Sequence, residues 1–415
     1  MPVFVGNRQT RMKTKIAMLL AAASCGWFTA VNSTSAQTWT QTSAPTEDWI
    51  SIASSADGVK LVAMAGGKSP SPIYTSKDSG FSWTTNSAPN AVWGAIASSA
   101  DGNTLVASVA YYLRTNVIYV STNAGTSWTS NTNVPSLEFL ACSADGRKWI
   151  ASAGDGGIYT STNSGTTWIS NNVPKGFWFS VASSADGTKL VAVETTNLAT
   201  YTRQIYVSRD SGGTWILTSA PGLYWSSIAS SADGTKLVAT ATVTAYTSGA
   251  IYTSLDSGTN WMLTSAPNNM WYSVASSADG NKLVAAAPFD HSALVRVPLY
   301  ISTNAGNSWV LTSSPRRSWQ VVASSADGNK LVAITALDGI WTSQTPAPQM
   351  NLTPTNGKLT LSWVVPSTNF VLQQSSDLGS WMDVTNPPVL NLTNLQNEVI
   401  LSPTGSSGFY RLKTP

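Results

Sequence analysis

The sequence predicts an all-β protein: a seven-bladed β-propeller closed by its own N-terminal strand, followed by a small C-terminal β-sandwich-like domain. Three observations carry this expectation. Ser-Ala-Asp-Gly occurs seven times, with its aspartates at Asp57, Asp101, Asp145, Asp186, Asp233, Asp279 and Asp327. The steps run from 41 to 48 residues, a period that suits four short strands per unit. Only 10% of the 415 residues are charged, 42% are hydrophobic and 18 are Trp, a balance opposite to that of a disordered chain. Pairs of tryptophans ten residues apart recur from Trp39/Trp49 to Trp309/Trp319 and mark the same register in most units.

One unit shows how the strands are assigned. Trp225 to Ser231 is a run of small and β-branched residues, and Asp233-Gly234 is a hairpin signal. Lys236 to Thr240, Ile251 to Ser254 and Trp261 to Thr264 supply three more strands, with a second turn at Asp256-Ser257-Gly258. The N-terminus and the last unit have complementary defects. Thr38 to Thr42 reads as a fourth strand with no unit of its own, whereas the seventh unit ends after Ile340 to Ser343 without one. Pairing the two removes an open sheet edge.

The flanks are different in character. Residues 1–36 read as a secretory signal: Arg8, Arg11, Lys13 and Lys15 precede the apolar run Ile16 to Val31, and Thr34-Ser35-Ala36 offers a cleavage site. An uncleaved anchor, or lipidation at Cys25 within Ala22-Ala23-Ser24-Cys25, is the alternative. Without residues 1–36 the chain has 19 Lys plus Arg against 20 Asp plus Glu, a net charge of −1 that gives no footprint for nucleic acid. Cys142 is then the sole cysteine, which excludes an intramolecular disulfide. The propeller is placed at 37–345, a Pro/Thr/Asn-rich linker at 346–357, and a small β domain at 358–415, where Leu359, Leu361 and Trp363 alternate. "FVLQQSSDLGSW" with "GFYRL" resembles a C-terminal module of secreted bacterial proteins that carries no known activity.

The second turn of each unit carries a signature. Ser76-x-Asp78-x-Gly80-x-x-Trp83 recurs with Asp210 and Asp256, and with Asn123, Asn163 and Asn304 at the acidic position. It resembles the Asp-box (BNR-type) repeat of sialidases, sortilin ectodomains and photosystem II assembly-factor propellers. The resemblance implies the propeller fold and leaves the activity open, because unrelated functions share the motif. Asn can accept the hydrogen bond that such a turn needs but cannot act as an acid or base, so these positions read as structural. The seven Ser-Ala-Asp-Gly aspartates read the same way, with Asp tolerating positive φ and Gly following it. A cation held by that ring of carboxylates is opposed by Lys60, Lys148, Lys189, Lys236, Lys282 and Lys330, each three residues on.

Both recurrent turns belong on one face of the propeller, so the variable loops belong on the other, where binding residues are expected. There the sequence places Arg114, Arg203, Arg296, Arg316 and Arg317 with Tyr111, Tyr112, Tyr201, Glu194, Asp290 and His291. Guanidinium forks recognise carboxylates or phosphates and Tyr adds stacking surface, which points to an anion or acidic-sugar site; the opposing reading is scattered solvated residues. Asp290-His291 reads as a surface pair. Trp49, Trp93, Trp178, Trp225, Trp271 and Trp319, with Leu137 in the seventh place, form either an aromatic ring at the channel mouth or packing between blades.

The expected function is a secreted, non-catalytic binding scaffold, monomeric and without cofactor, metal or stable membrane insertion, taking a glycan or protein on the variable face. Two alternatives stand beside it. One is an assembly or stability factor like the photosystem II propeller. The other is a sialidase-type glycosidase, with Arg114, Arg203 and Arg296 clamping a carboxylate and Glu194 beside Tyr201; the family's Arg-Ile-Pro motif is absent.

Overall fold

The computed structural model describes residues 38–66, 69–110, 113, 115–197, 203–242, 249–288, 295–335, 338–344, 350–355, 358–364, 371–376, 380–386, 388–391, 396–401 and 409–413. The expected signal, 1–36, lies outside them.

Every described regular element of four or more residues is a strand, and residues 38–344 form seven four-stranded antiparallel sheets. Their first strands are Trp49–Ser54, Trp93–Ser98, Leu137–Cys142, Gly176–Ser183, Tyr224–Ser230, Ser273–Ser276 and Trp319–Ser324. Each first strand faces those of the two neighbouring sheets, the last facing the first, so the sheets radiate from an axis as a β-propeller. The second strand of each sheet is enclosed on both faces by adjacent sheets. Leu61–Ala65 and Trp149–Ala153 are buried at every position, which is why "LVAMA" and "WIASA" show no polar alternation. The outermost strands, such as Ile216–Leu217 and Met262–Leu263, are exposed.

The core lies between sheets. Trp49, Ile52 and Leu61 of the first sheet pack with Val332, Ile334 and Ile340 of the seventh, and equivalent clusters fill the other junctions. Trp49, Trp93, Trp178, Trp225, Trp271 and Trp319 are at most 3% exposed. Five of these rings stand edge-on to the third-strand tyrosine of their own sheet, as Trp225 does to Tyr252 at 5.6 Å. Packing between blades is therefore their role, and the aromatic ring at the channel mouth is not formed.

A circle of backbone hydrogen bonds joins the seven Ser-Ala-Asp-Gly turns. Ala56 N–H donates to Ala100 O (2.7 Å), Ala100 to Ala144, and so on through Ala185, Ala232, Ala278 and Ala326, which donates back to Ala56 O (2.7 Å). The carboxylates hold the turns themselves. Asp186 Oδ1 accepts from Ser184 Oγ (2.6 Å) and Thr188 N–H (2.9 Å). Lys189 Nζ reaches the next turn and donates to Asp233 O (2.8 Å), and Lys236, Lys282 and Lys330 do likewise at Asp279, Asp327 and Asp57. One expectation is corrected. The aspartates do not adopt positive φ; only the glycines do, as at Gly187 (φ 67°). The turn bond from Gly187 N–H to Ser184 O puts the left-handed residue last, where the missing Cβ also leaves room for the Lys148 stem.

The second turns are built from their hydroxyl and carboxylate or amide groups. Asp78 Oδ1 accepts from Ser76 Oγ (2.8 Å) and Ser82 N–H (2.8 Å); Asn123 Oδ1 accepts from Ser121 Oγ (3.0 Å) and Ser127 N–H (2.9 Å). The Asp/Asn exchange preserves the geometry, and Asn163, Asp210, Asp256 and Asn304 repeat it. Ser79 N–H donates to Val59 O (2.8 Å), which sets the two recurrent turns side by side on one face.

The N-terminal strand Thr38–Gln41 pairs with Ile340–Gln344 in the register Trp39↔Ser343 and Gln41↔Trp341, completing the seventh sheet. Trp39 is 8% exposed, with its ring 5.9 Å from that of Trp319. Further along, Asn351–Thr355, Lys358–Val364, Gln396–Leu401 and Val389–Asn391 form a four-stranded sheet, and Met382–Asp383, Val371–Ser375 and Phe409–Lys413 a three-stranded one. Leu361, Trp363, Leu372 and Val399 are their buried core. Asn351–Thr355 falls in the segment read as a linker. Cys142 is half-buried; its Sγ donates to Ser98 O (3.3 Å), and burial pushes the thiol up to about 12.

Two predictions concern the ring. Trp39→Ala is expected to lower stability in chemical denaturation by about 3–5 kcal/mol, with deletion of residues 37–45 lowering the melting temperature further. For the turn carboxylates, Ser184 and Ser231 hydroxyls, with the Thr188 and Thr235 N–H groups, hold Asp186 and Asp233 down to about 2. The folded pKa lies below the ordinary value of about 3.9. The stabilisation is therefore complete above that value and is lost as pH falls from about 4 towards 2. The Asp186→Asn/Asp233→Asn variant is expected to show a shallower loss of stability across that window in urea denaturation.

Candidate functional site

The loops joining second to third strands, and fourth strands to the next sheet, emerge on the face away from the recurrent turns. Three of the expected arginines meet there, at the junction of the sixth and seventh sheets. An isolated antiparallel bridge pairs Val297 with Arg317, which brings the neighbouring Arg296 alongside. Arg296 Nη1 lies 3.6 Å and Arg317 Nε 3.8 Å from Asp338 Oδ2. Arg316 Nη1 donates to Arg296 O (3.3 Å). The Arg317 guanidinium is 5.9 Å from the centre of the Trp341 ring.

Asp338 is fixed from below. Its N–H donates to Thr335 Oγ1 (2.8 Å), and its carbonyl accepts from Gln41 Nε2 (2.8 Å) and Trp341 Nε1 (3.3 Å). The N-terminal strand that closes the propeller thus also braces this cluster. Two guanidinium groups share one carboxylate and a third, that of Arg316, is tied to the Arg296 carbonyl, so positive charge is in surplus. Arg317 Nε is enclosed without a hydrogen-bond partner among the described residues, while the Arg296 side chain remains 58% exposed.

Arg203 belongs to a separate place, between the fourth and fifth sheets. Its guanidinium carbon lies 3.5 Å over the Tyr224 ring and its Nη2 donates to Tyr224 Oη. The expectation of a single five-arginine site is thereby divided. Arg114, Tyr111, Tyr112, Tyr201, Asp290 and His291 lie outside the described residues. Glu194 is fully buried, opposite Trp178, and packs over Gly176, where a Cβ would come 2.0 Å from Glu194 Oε1. That burial removes Glu194 from the ligand-facing surface and from the reach of a substrate, contrary to its expected place in the site. The neighbouring Tyr206 hydroxyl is pushed up, chiefly by its own burial and then by the Glu194 charge.

A further feature repeats around the axis. Just after the tryptophan position, the first strand carries a register irregularity in six of the seven sheets. The residues displaced there are Ile50, Gly94 with Ala95, Glu138 with Phe139, Phe179, Ser226 and Gln320. A β-bulge re-aims their side chains, so one backbone device presents six different chemistries. At the junction of the third and fourth sheets the device presents Glu138, with the Phe139 ring 5.4 Å from that of Phe179. Phe177 and Phe179 are 60% and 41% exposed. The Glu138 carboxylate has no ion pair or hydrogen bond among the described residues, and burial raises its pKa to about 6.

The sequence reading missed Asp338, Trp341, Tyr224 and Glu138. Asp338 sits in the short loop "ALDG" and Tyr224 directly precedes a unit tryptophan, positions whose signal was available but unremarkable. Among the described residues no group of three or more His, Cys, Asp or Glu side chains could hold a metal ion.

Comparisons with known proteins agree with the architecture. No protein-family model and no curated protein matches the chain. Among solved structures, hydrazine synthase of Kuenenia stuttgartiensis superposes with a TM-score of 0.58 at 14% identity, covering 73% of this chain and 97% of that one. YCF48 from Cyanidioschyzon merolae superposes at 0.54 and 14% identity, covering 74% and 98%. YCF48 bound to D1 peptide does so at 0.54 and 13%, covering 75% and 97%. The chain is a β-propeller protein. At these identities the likeness is one of fold.

Glu138 supplies a prediction about stability. Its folded pKa of about 6 exceeds the ordinary glutamate value, so the folded state disfavours its charge. Its contribution is fully present at low pH and is lost as pH rises through about 6. Glu138→Gln is expected to raise the melting temperature at pH 7.5 and to have little effect at pH 4, as read by differential scanning calorimetry.

Proposed function

We propose that the chain is a secreted, non-catalytic, seven-bladed propeller whose variable-loop face binds carboxylates of a partner protein through arginines. The observation that carries this reading is the pairing of Arg296 and Arg317 with the single carboxylate of Asp338, with Arg316 held alongside on the Arg296 carbonyl. Guanidinium groups with surplus charge, among them the largely exposed Arg296, are suited to a second carboxylate, from an acidic side chain or a chain terminus. A protein ligand is favoured over a glycan because the unit tryptophans, which would have stacked on sugar rings, are consumed between sheets. The D1 peptide complex of YCF48 supports the same ligand class by analogy of fold. An assembly-factor-like role is the second reading, favoured by that complex and differing only in the identity of the bound protein. The glycosidase reading is disfavoured by the enclosure of Glu194.

The test uses a fluorescein-labelled hexapeptide of alternating Glu and Ala with a free C-terminus, and its Gln/Ala counterpart with an amidated end. In fluorescence anisotropy the acidic peptide is expected to bind at least about tenfold more tightly, and raising salt from about 50 to about 500 mM weakens it. Arg296→Ala/Arg317→Ala is expected to remove most of that difference. Equal binding of the two peptides, or indifference to the double substitution, would sink the proposal.

A further inference from the structure

We infer that the junction of the third and fourth sheets is a second binding site, at which Glu138 and the Phe139/Phe179 pair receive an arginine side chain of a partner protein. It is independent of the Arg296/Arg317 cluster and of opposite charge preference.

In the third sheet the bulge takes Glu138 and Phe139 together out of the regular ladder opposite Ser152, where their side chains are re-aimed. In the other sheets showing this irregularity the displaced residues are uncharged; only in the third is one a carboxylate. Ser226, the equivalent in the fifth sheet, spends its hydroxyl on Thr240 Oγ1 (2.9 Å) and Trp271 O (2.9 Å). Glu138 has no such use. Its carboxylate makes neither ion pair nor hydrogen bond among the described residues, although it is half-buried. A carboxylate kept where the fold disfavours its charge, with no internal partner, is suited to an external cation.

The surroundings narrow the cation. The fourth sheet has the longest first strand of the seven, Gly176–Ser183, paired out to Asn197. The strand carries Phe177 and Phe179 with exposed rings, and Phe179 leans on Phe139 at 5.4 Å with 36° between planes. A carboxylate consecutive in the same bulge with the Phe139 ring, which meets Phe179, matches a planar guanidinium, which can lie on a ring and still donate two parallel hydrogen bonds. An ammonium is more strongly hydrated and lacks the plane. A metal ion is disfavoured because no second acid, His or Cys joins Glu138 in a group of three among the described residues.

The probes are N-acetyl-arginine amide and its neutral isostere N-acetyl-citrulline amide, titrated into the full chain at pH 7.5 and followed by NMR or calorimetry. The arginine compound is expected to bind at least about tenfold more tightly than citrulline. Glu138→Gln abolishes the discrimination in a protein whose circular dichroism is unchanged, and Phe179→Ala weakens arginine binding about threefold or more. Arg296→Ala/Arg317→Ala leaves it intact, so failure of this site is distinguishable from failure of the anion site. Equal binding of arginine and citrulline by the wild type, or discrimination that survives Glu138→Gln, overturns the inference.

Discussion

The circle of hydrogen bonds from each Ser-Ala-Asp-Gly alanine to the next sets the terms for the rest of the molecule. Seven N–H groups find seven carbonyls only if all the turns have one shape and the last returns to the first. That requirement explains the uniformity of the repeat better than any shared chemistry would. The serine and aspartate of each unit, and the lysine of six of the seven, are committed to forming the turn and tying it to its neighbour, as in Ser231, Asp233 and Lys236. The donors hold these carboxylates below the usual value, with Asp186 and Asp233 down to about 2.

A closed circle on one face frees the other. With the axis, the sheet spacing and the first-strand register fixed, loops opposite can differ in length and composition without disturbing the core. The consequence is visible in two places. Asp338 gathers arginines that are 21 residues apart in sequence, and Glu138 has no partner among the described residues where its equivalents are an isoleucine, a glycine or a serine. Both depart from the repeat, and both carry charge in a chain that is only 10% charged.

The architecture was legible in the sequence because its cause is periodic. The ten-residue tryptophan spacing located Thr38–Gln41 in the seventh sheet before any coordinates did, since Trp39 occupies the place of a box tryptophan. The Asp/Asn exchange at Asp78 and Asn123 identified an acceptor role, and the observed hydrogen bonds are those of an acceptor. The site was legible only as a face. That Arg296 and Arg317 meet while Arg203 turns to Tyr224 depends on how loops of unequal length cross a sheet junction, and no local pattern encodes that. The burial of Glu194 depends likewise on Gly176, a residue on another strand with no side chain to announce itself. The Glu138 bulge was hidden because an inserted residue reads as ordinary alternation until pairing partners are known.

Completing the seventh sheet from both ends of the repeat array imposes an order of events. Thr38–Gln41 is synthesised some three hundred residues before its partner Ile340–Gln344, so the circle has high contact order and its final seam forms late. Until then the strand carrying Trp341 has a free edge that accepts any strand of suitable register. The first candidate at high concentration is the equivalent N-terminal strand of another copy. Closure is therefore also a kinetic contest between a tethered strand and its untethered twins, decided by effective concentration within one chain.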